Sequence, residues 1–186
     1  MRQSVQTEVV RTPIRGVCEL RSQIFVDSRG SFLNAFRAEG ESFIGSWEKR
    51  GIAQVNLSCS EVVGTIRGLH LQVAPHSEAK LVRCLRGCVW DVAVDLRPDS
   101  PTYGHWHAVE LSPGASNAVL IPEGCAHGFQ VLEQCSELFY LHSGDWAPEA
   151  ETGVRFDDPV LAIPWPLTPL GLSERDLALP LLESLP

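Results

Sequence analysis

Six histidines carry most of the chemistry this chain could perform: His70, His76, His105, His107, His127 and His142. An imidazole titrates near neutral pH, so it can take up and release a proton, or bind a metal where several converge. The stretch "IRGLHLQ" (66–72) places Arg67 and His70 in a short apolar run beside Gly64 and Gly68. Either these two serve chemistry, or they bond Asp91 or Asp95 inside a polar core. One H-x-H exists, His105-Trp106-His107. Its two rings would share a strand face, but no third ligand stands near, so surface or interface histidines are expected there. His76 falls in a loop and His142 at a strand end, and structural or solvent roles are expected for both.

The elements that must position these groups read as strands. In "AKLVRCLRGCVWDVAVDLR", an apolar run from Leu81 to Leu85 meets a turn near Arg86-Gly87, and alternation then resumes. Trp90, Val92, Val94 and Leu96 fall on one face, and Val89, Asp91, Ala93 and Asp95 on the other. Two aspartates among small apolar residues predict a face that lines something polar. "RPDSPTYG" (97–104) is a turn-rich connector, "HWHAVELS" a strand, "PGASN" a turn and "AVLIP" another strand. "FQVLEQCSELFYLHS" predicts a hairpin through Glu133-Gln134. Thirteen prolines and fifteen glycines among 186 residues fit many turns between short strands, as in an all-β sandwich or barrel. Helix is expected only near the end. There Ser173 can cap "LSERDLALPLLESL", and Pro180 keeps the helix short.

The length suits one domain with its own core, taken as residues 1–186. A net charge of −8 argues against nucleic acid and anionic membrane surfaces as partners, and an anionic ligand would need a local basic cluster. No apolar run reaches the roughly 18 residues of a membrane span. "MRQSVQTEVVRTPIRG" lacks the apolar stretch of a secretory signal, so the expected compartment is the cytoplasm. The six cysteines form no C-x-x-C pair, and reduced, mostly buried thiols are expected.

His127 closes "PEGCAHG", which has the P-x-G-x-x-H form of the second motif of the cupin barrels, the double-stranded β-helix jelly rolls. Their first motif carries metal-binding H-x-H and a later glutamate. Here that place reads His70-Leu71-Gln72, and Lys80 stands where a carboxylate would help; a cation there opposes a metal. An ordered set of stretches resembles the dTDP-4-dehydrorhamnose 3,5-epimerase family, metal-free cupins of deoxysugar biosynthesis. The set comprises "DSRGSF" (27–32), "QVNLSCS" (54–60), "GTIRGLHLQ" (64–72), "KLVRCLRGCVWDVAVDLRPDSPTYG" (80–104), "IPEGCAHGF" (121–129), "FYLHS" (139–143), "APEAETGVRFDDPVLAIPWP" (147–166) and "LSERD" (172–176).

The resemblance implies a cupin-type jelly roll with a short C-terminal helix, no cofactor, and a nucleotide-linked 4-keto-6-deoxyhexose as substrate. It implies that His70 is the base that takes a proton beside the C4 ketone and that Asp176 supports it. Lys80, with Arg67, would hold the enolate charge, and Tyr140 would return a proton to the opposite face. Arg29, Gln54, Asn56, Arg67, Lys80, His127, Glu151 and Arg175 match family ligand positions or conservative replacements. Asn34 replaces a usual glutamate, and Asp145-Trp146 replaces a Tyr-Tyr pair, so Trp146 is left to stack on the base. Leu71 stands where the family commonly has an aromatic residue. The changes at Asn34 and Asp145-Trp146 fall on the base-reading end and open the nucleotide preference, and Leu71 is a further small change near the pocket. The resemblance also implies a homodimer with exchanged N-terminal strands. The other readings are a non-catalytic sugar-nucleotide-binding cupin, a single-centre (3- or 5-) epimerase with another nucleotide, a 3,4-ketoisomerase and a metal-dependent cupin.

Overall fold

The computed structural model of the chain describes residues 7–36 and 51–185. The expected domain also takes in residues 1–6, 37–50 and 186, which lie outside those described. The strands form two facing antiparallel sheets. One sheet has the order β1 (Thr7–Arg11), β2 (Cys18–Ser22), β10 (Asn117–Ile121), β7 (Lys80–Arg86), β12 (Ser136–His142) and β5 (Gln54–Ser60). The other has the order β13 (Glu151–Gly153), β6 (Ile66–Gln72), β11 (Cys125–Val131), β8 (Val89–Asp95) and β9 (Trp106–Leu111). A separate hairpin, β3 (Ile24–Asp27) and β4 (Gly30–Leu33), pairs with neither sheet. This is the all-β jelly roll expected from the sequence. The one α-helix among the described residues, α1 (Glu174–Leu177), begins at Ser173, whose side chain accepts from the Asp176 N–H.

Alternation decides what each strand buries. Val82 and Cys84 of β7, Val119 and Ile121 of β10, and Leu138 of β12 meet Val89 and Ala93 of β8 and Phe129 and Val131 of β11 in the core between the sheets. The opposite rows are covered too. Leu69, Leu71, Val92 and Val94 pack under the C-terminal segment against Leu161, Ile163 and Leu182, with Trp90, Trp106 and Trp165 alongside. On the face carrying Asp91, Val89 and Ala93 join the apolar core, so the expected polar-lining face reduces to Asp91 itself, bonded to His127. Asp95, at the strand end, instead binds Arg97, Ser100 and Thr102 and organises the following connector.

One expectation fails. β11 and β12 do not form a hairpin: β11 lies between β6 and β8, and β12 between β5 and β7. The chain crosses from one sheet to the other at residues 132–135. Ser136 Oγ bonds the Glu133 and Cys88 carbonyls, and the Leu132 N–H donates to Cys88, so the crossing is tied to the neighbouring β7–β8 crossing rather than to its own strand partner. Turn chemistry alone does not distinguish a hairpin from a crossing between layers.

The register of β6 against β11 sets the site. His127 pairs with His70 but Phe129 pairs with Arg67, so β6 carries one extra residue, a β-bulge at Gly68–Leu69. Strict alternation would put residues three apart on opposite faces. The bulge puts Arg67 and His70 on the same inner side, while Leu69 and Leu71 both pack outward. Gly68 and Gly128 allow the close approach. A Cβ at Gly128 would lie 2.7 Å from the Arg67 carbonyl oxygen and 2.8 Å from Leu69 Cδ2, and one at Gly68, where φ is +118°, 2.6 Å from the Gly128 Cα.

Gly128→Ala is expected to separate the two strands and cost about 1–3 kcal/mol of stability. Urea unfolding of the purified variant checks this; an unchanged midpoint would show that the strands adjust freely.

Candidate active site

Toward one end of the sheets the inward rows turn from apolar to polar. Val82 gives way to Lys80 along β7, and Leu138 to Tyr140 and His142 along β12. The cleft that results measures about 640 Å³, a size suited to a small-molecule ligand. Its walls include Gln54, Asn56, Arg67, His70, Lys80, His127, Tyr140, Trp146, Glu151 and Arg175, ten of the residues singled out in the sequence.

His70 Nε2 lies 2.5 Å from Asp176 Oδ1. A carboxylate only accepts, so Nε2 carries the ring proton and Nδ1 keeps a lone pair. Asp176 comes from α1, 106 residues along the chain, and is buried. Burial alone would raise its pKa; bonds from His70, from Ser173 and from the Gly68 N–H overcome this and hold the carboxyl below its ordinary range. The bulge thus serves twice, aiming His70 and donating to its partner. Arg67 is held by Ser60 Oγ at 3.1 Å and the Cys59 carbonyl at 3.4 Å, both on β5. Asp91 accepts from His127 Nε2 at 2.8 Å and Asp95 from Arg97, Ser100 and Thr102; among the described residues neither carboxylate bonds Arg67 or His70, which removes the polar-core alternative. Burial pushes the Tyr140 phenol well above its ordinary pKa; the Asp91 charge adds to the rise and Arg67 opposes it. Tyr140 is therefore a protonated donor at working pH. Lys80 Nζ donates to the His70 carbonyl at 3.3 Å and pairs with Glu78 at 3.4 Å.

The arrangement offers a base nitrogen, a hydroxyl donor and two cations facing one cleft, a set able to move a proton at carbon and hold the charge that develops. At the mouth, Trp146 is 60% exposed and its indole N–H donates to Glu151, which also pairs with Arg175. The loop carrying Trp146 is pinned by buried Gln72, which donates to the Asp145 carbonyl and accepts from the Ala147 N–H.

Two predicted residues are not brought here. Arg29 sits at the β3–β4 turn, paired with Asp27 at 2.6 Å, and neither it nor Asn34 lines the cleft of its own chain. The sequence reading also passed over Glu78 and gave His142 no part. Simple alternation from Tyr140 would have placed His142 on the same face. His107 of the H-x-H bonds Glu19 at 2.9 Å and His105 is exposed, and no cluster of three or more His, Cys, Asp or Glu stands together among the described residues.

A family model described as dTDP-4-dehydrorhamnose 3,5-epimerase matches residues 11–184. The chain belongs to the dTDP-4-dehydrorhamnose 3,5-epimerase family. It is 40% identical over 173 residues to the dTDP-4-dehydrorhamnose 3,5-epimerase of Sinorhizobium fredii, covering 90% of this chain and 85% of that one. It is 44% identical over 164 residues to the dTDP-4-dehydrorhamnose 3-epimerase of Streptomyces niveus, covering 88% and 78%. The crystal structure of the dTDP-6-deoxy-D-glucose-3,5-epimerase of Legionella pneumophila in complex with dTDP-4-keto-L-rhamnose superposes with a TM-score of 0.87 at 35% identity, covering 97% of this chain and 95% of that one.

In this family member the depressed Asp176 pKa has a stability consequence. The folded value lies below the unfolded value of about 4, so the stabilisation is whole above pH 4 and is lost as pH falls through the folded value. Urea unfolding from pH 6 down to pH 2 should give a shallower decline for Asp176→Asn than for the parent. Parallel declines would mean that this carboxyl titrates alike in both states.

Proposed function

We propose that this chain is an isomerase that epimerises a nucleotide-linked 4-keto-6-deoxyhexose without a cofactor. The observation that carries the reading is His70, its Nε2 committed to Asp176, lining the same cleft as the protonated Tyr140 phenol and the buried Lys80 ammonium. The C4 ketone acidifies the protons on its neighbouring carbons. His70 Nδ1 takes one, and the bonding pair moves toward the C4 oxygen as an enolate. Lys80 and Arg67 hold that charge. Asp176 keeps the ring oriented and stabilises the imidazolium. Tyr140 then gives its proton to the carbon from the opposite face, which inverts the centre; Tyr140 regains a proton from solvent and the His70 imidazolium releases its proton to solvent.

The remaining groups suit the nucleotide diphosphate. Arg175 offers a forked donor set to phosphate. Gln54, Asn56, His127 and Glu151 supply polar contacts along the cleft, and the exposed Trp146 ring is placed to stack on a base. The dTDP form is the nucleotide named for the relatives, and we take it as the first substrate.

The working unit in this reading is a homodimer of single jelly-roll domains. Strand β5 supports it, because its polar residues face the cleft while Val55 and Leu57 are 52% and 71% exposed. The same need for cover applies to Val26 and Phe32 on the β3–β4 hairpin, 77% and 62% exposed. A second copy that buries these faces would also bring Arg29 and Asn34 toward its partner's cleft. All six cysteines are unpaired, which suits a reducing cytoplasm.

Inversion at C3 alone is the second reading, favoured by the 44% identity to a 3-epimerase. Reaction with dTDP-4-keto-6-deoxyglucose in D2O, followed by NMR, separates the two. Deuterium at C3 and C5 is expected of a 3,5-epimerase, deuterium at C3 alone marks the single-centre enzyme, and none with any 4-keto nucleotide sugar removes the catalytic reading. Tyr140→Phe should lose inversion by about 10²-fold or more while exchange persists; equal loss of both would remove Tyr140 as the opposite-face acid.

A further inference from the structure

One wall of the cleft is a continuous chain of hydrogen bonds whose direction is fixed. The Trp146 backbone N–H donates to Gln54 Oε1 at 3.0 Å, and Gln54 Nε2 donates to Asn56 Oδ1 at 2.9 Å. Asn56 Nδ2 then meets His142 Nε2 at 3.3 Å, and His142 Nδ1 meets Glu78 Oε2 at 2.9 Å. Glu78 Oε1 in turn pairs with Lys80 Nζ at 3.4 Å. A backbone N–H can only donate, so each amide in the chain must accept with its oxygen and donate with its nitrogen. His142 Nε2 therefore accepts, its Nδ1 carries the ring proton, and that proton points at Glu78. Glu78, His142 and Lys80 have side chains no more than 11% exposed, so water cannot readily substitute for any member.

We propose that Glu78 and His142 are positioning residues for Lys80. The inference rests on the reading of Lys80 as the group that holds the enolate charge. A lysine stem has four rotatable carbons and a point charge, so the ammonium stays at one spot only if something fixes it. The His70 carbonyl supplies one contact and Glu78 the other. Among the described residues Glu78 is the one carboxylate in ion-pair range of Lys80. Its second oxygen is held by His142, which stops the carboxylate from swinging away. The relay also ties this arrangement to the Trp146 loop at the mouth.

The test measures epimerisation by Lys80→Met, Glu78→Gln, His142→Asn and His142→Leu. Glu78→Gln should lower kcat about tenfold, less than the 10²–10³ that follows loss of a whole stabilising donor, with KM changed by no more than about threefold. His142→Asn, whose amide nitrogen can stand where Nδ1 stood, should keep most of kcat, and His142→Leu should fall with Glu78→Gln. In 15N spectra of imidazole-labelled protein, His142 should carry its proton on Nδ1. Parental kcat in Glu78→Gln and His142→Leu, with Lys80→Met impaired, would overturn the pair and leave Lys80 in its role. Parental kcat in Lys80→Met would remove Lys80 and the pair together. Equal loss in both His142 variants, or a proton on Nε2, would reduce His142 to packing.

Discussion

The site depends on one close contact, where β6 crosses β11 with Gly68 against Gly128. Two backbones can approach that closely only where neither carries a Cβ. The extra residue in β6 then changes the phase of the strand between Arg67 and His70. Both polar side chains turn inward, both neighbouring leucines turn outward, and the Gly68 N–H is available to Asp176. Without the bulge one of the two polar groups would face the buried outer layer, where an unpaired charge is costly.

Around this contact the cleft is organised by carboxylates placed behind imidazoles. Asp176 stands behind His70, Asp91 behind His127 and Glu78 behind His142. Each pair fixes a tautomer; for His70 this leaves Nδ1 to accept, and for His142 it leaves Nε2 to accept from Asn56. The three carboxylates come from a C-terminal helix, a central strand and a loop before β7, so the cleft is specified by packing of distant segments. Asp91 has a further effect. Its Oδ1 is buried without a partner among the described residues, and its charge helps to keep the Tyr140 phenol protonated. A negative group beside a buried phenol, with cations on the other walls, sorts proton donor from charge acceptor within one small volume.

The two faces of β5 carry the opposite of the usual pattern. Gln54, Asn56 and Ser58 are half-buried along the cleft and Ser60 is buried against Arg67, while the alternate Val55, Leu57 and Cys59 are exposed. Polar residues line the cleft because it must be wet and take a polar ligand. Apolar residues on the far side of an edge strand need cover, which is the physical basis of the dimer proposed above.

The sequence by itself determined the all-β class, the short terminal helix with its Ser173 cap, and most of the cleft, because alternation and turn chemistry are local and the quoted motifs are contiguous. Ten of the thirteen singled-out residues line one cleft, and Asp176 stands directly behind it. Only the tertiary structure decided the rest. The crossing at residues 132–135 looks like a hairpin in one dimension, since a turn does not record which sheet receives the next strand. The side-by-side placement of Arg67 and His70 needed the bulge, which breaks the period that sequence reading assumes. The pairing of Glu78 with Lys80 and His142 was illegible because hydrogen-bond partners are chosen by packing across the sheet, and Arg29 and Asn34 stand off their own cleft because a hairpin's neighbours are set by where the chain folds.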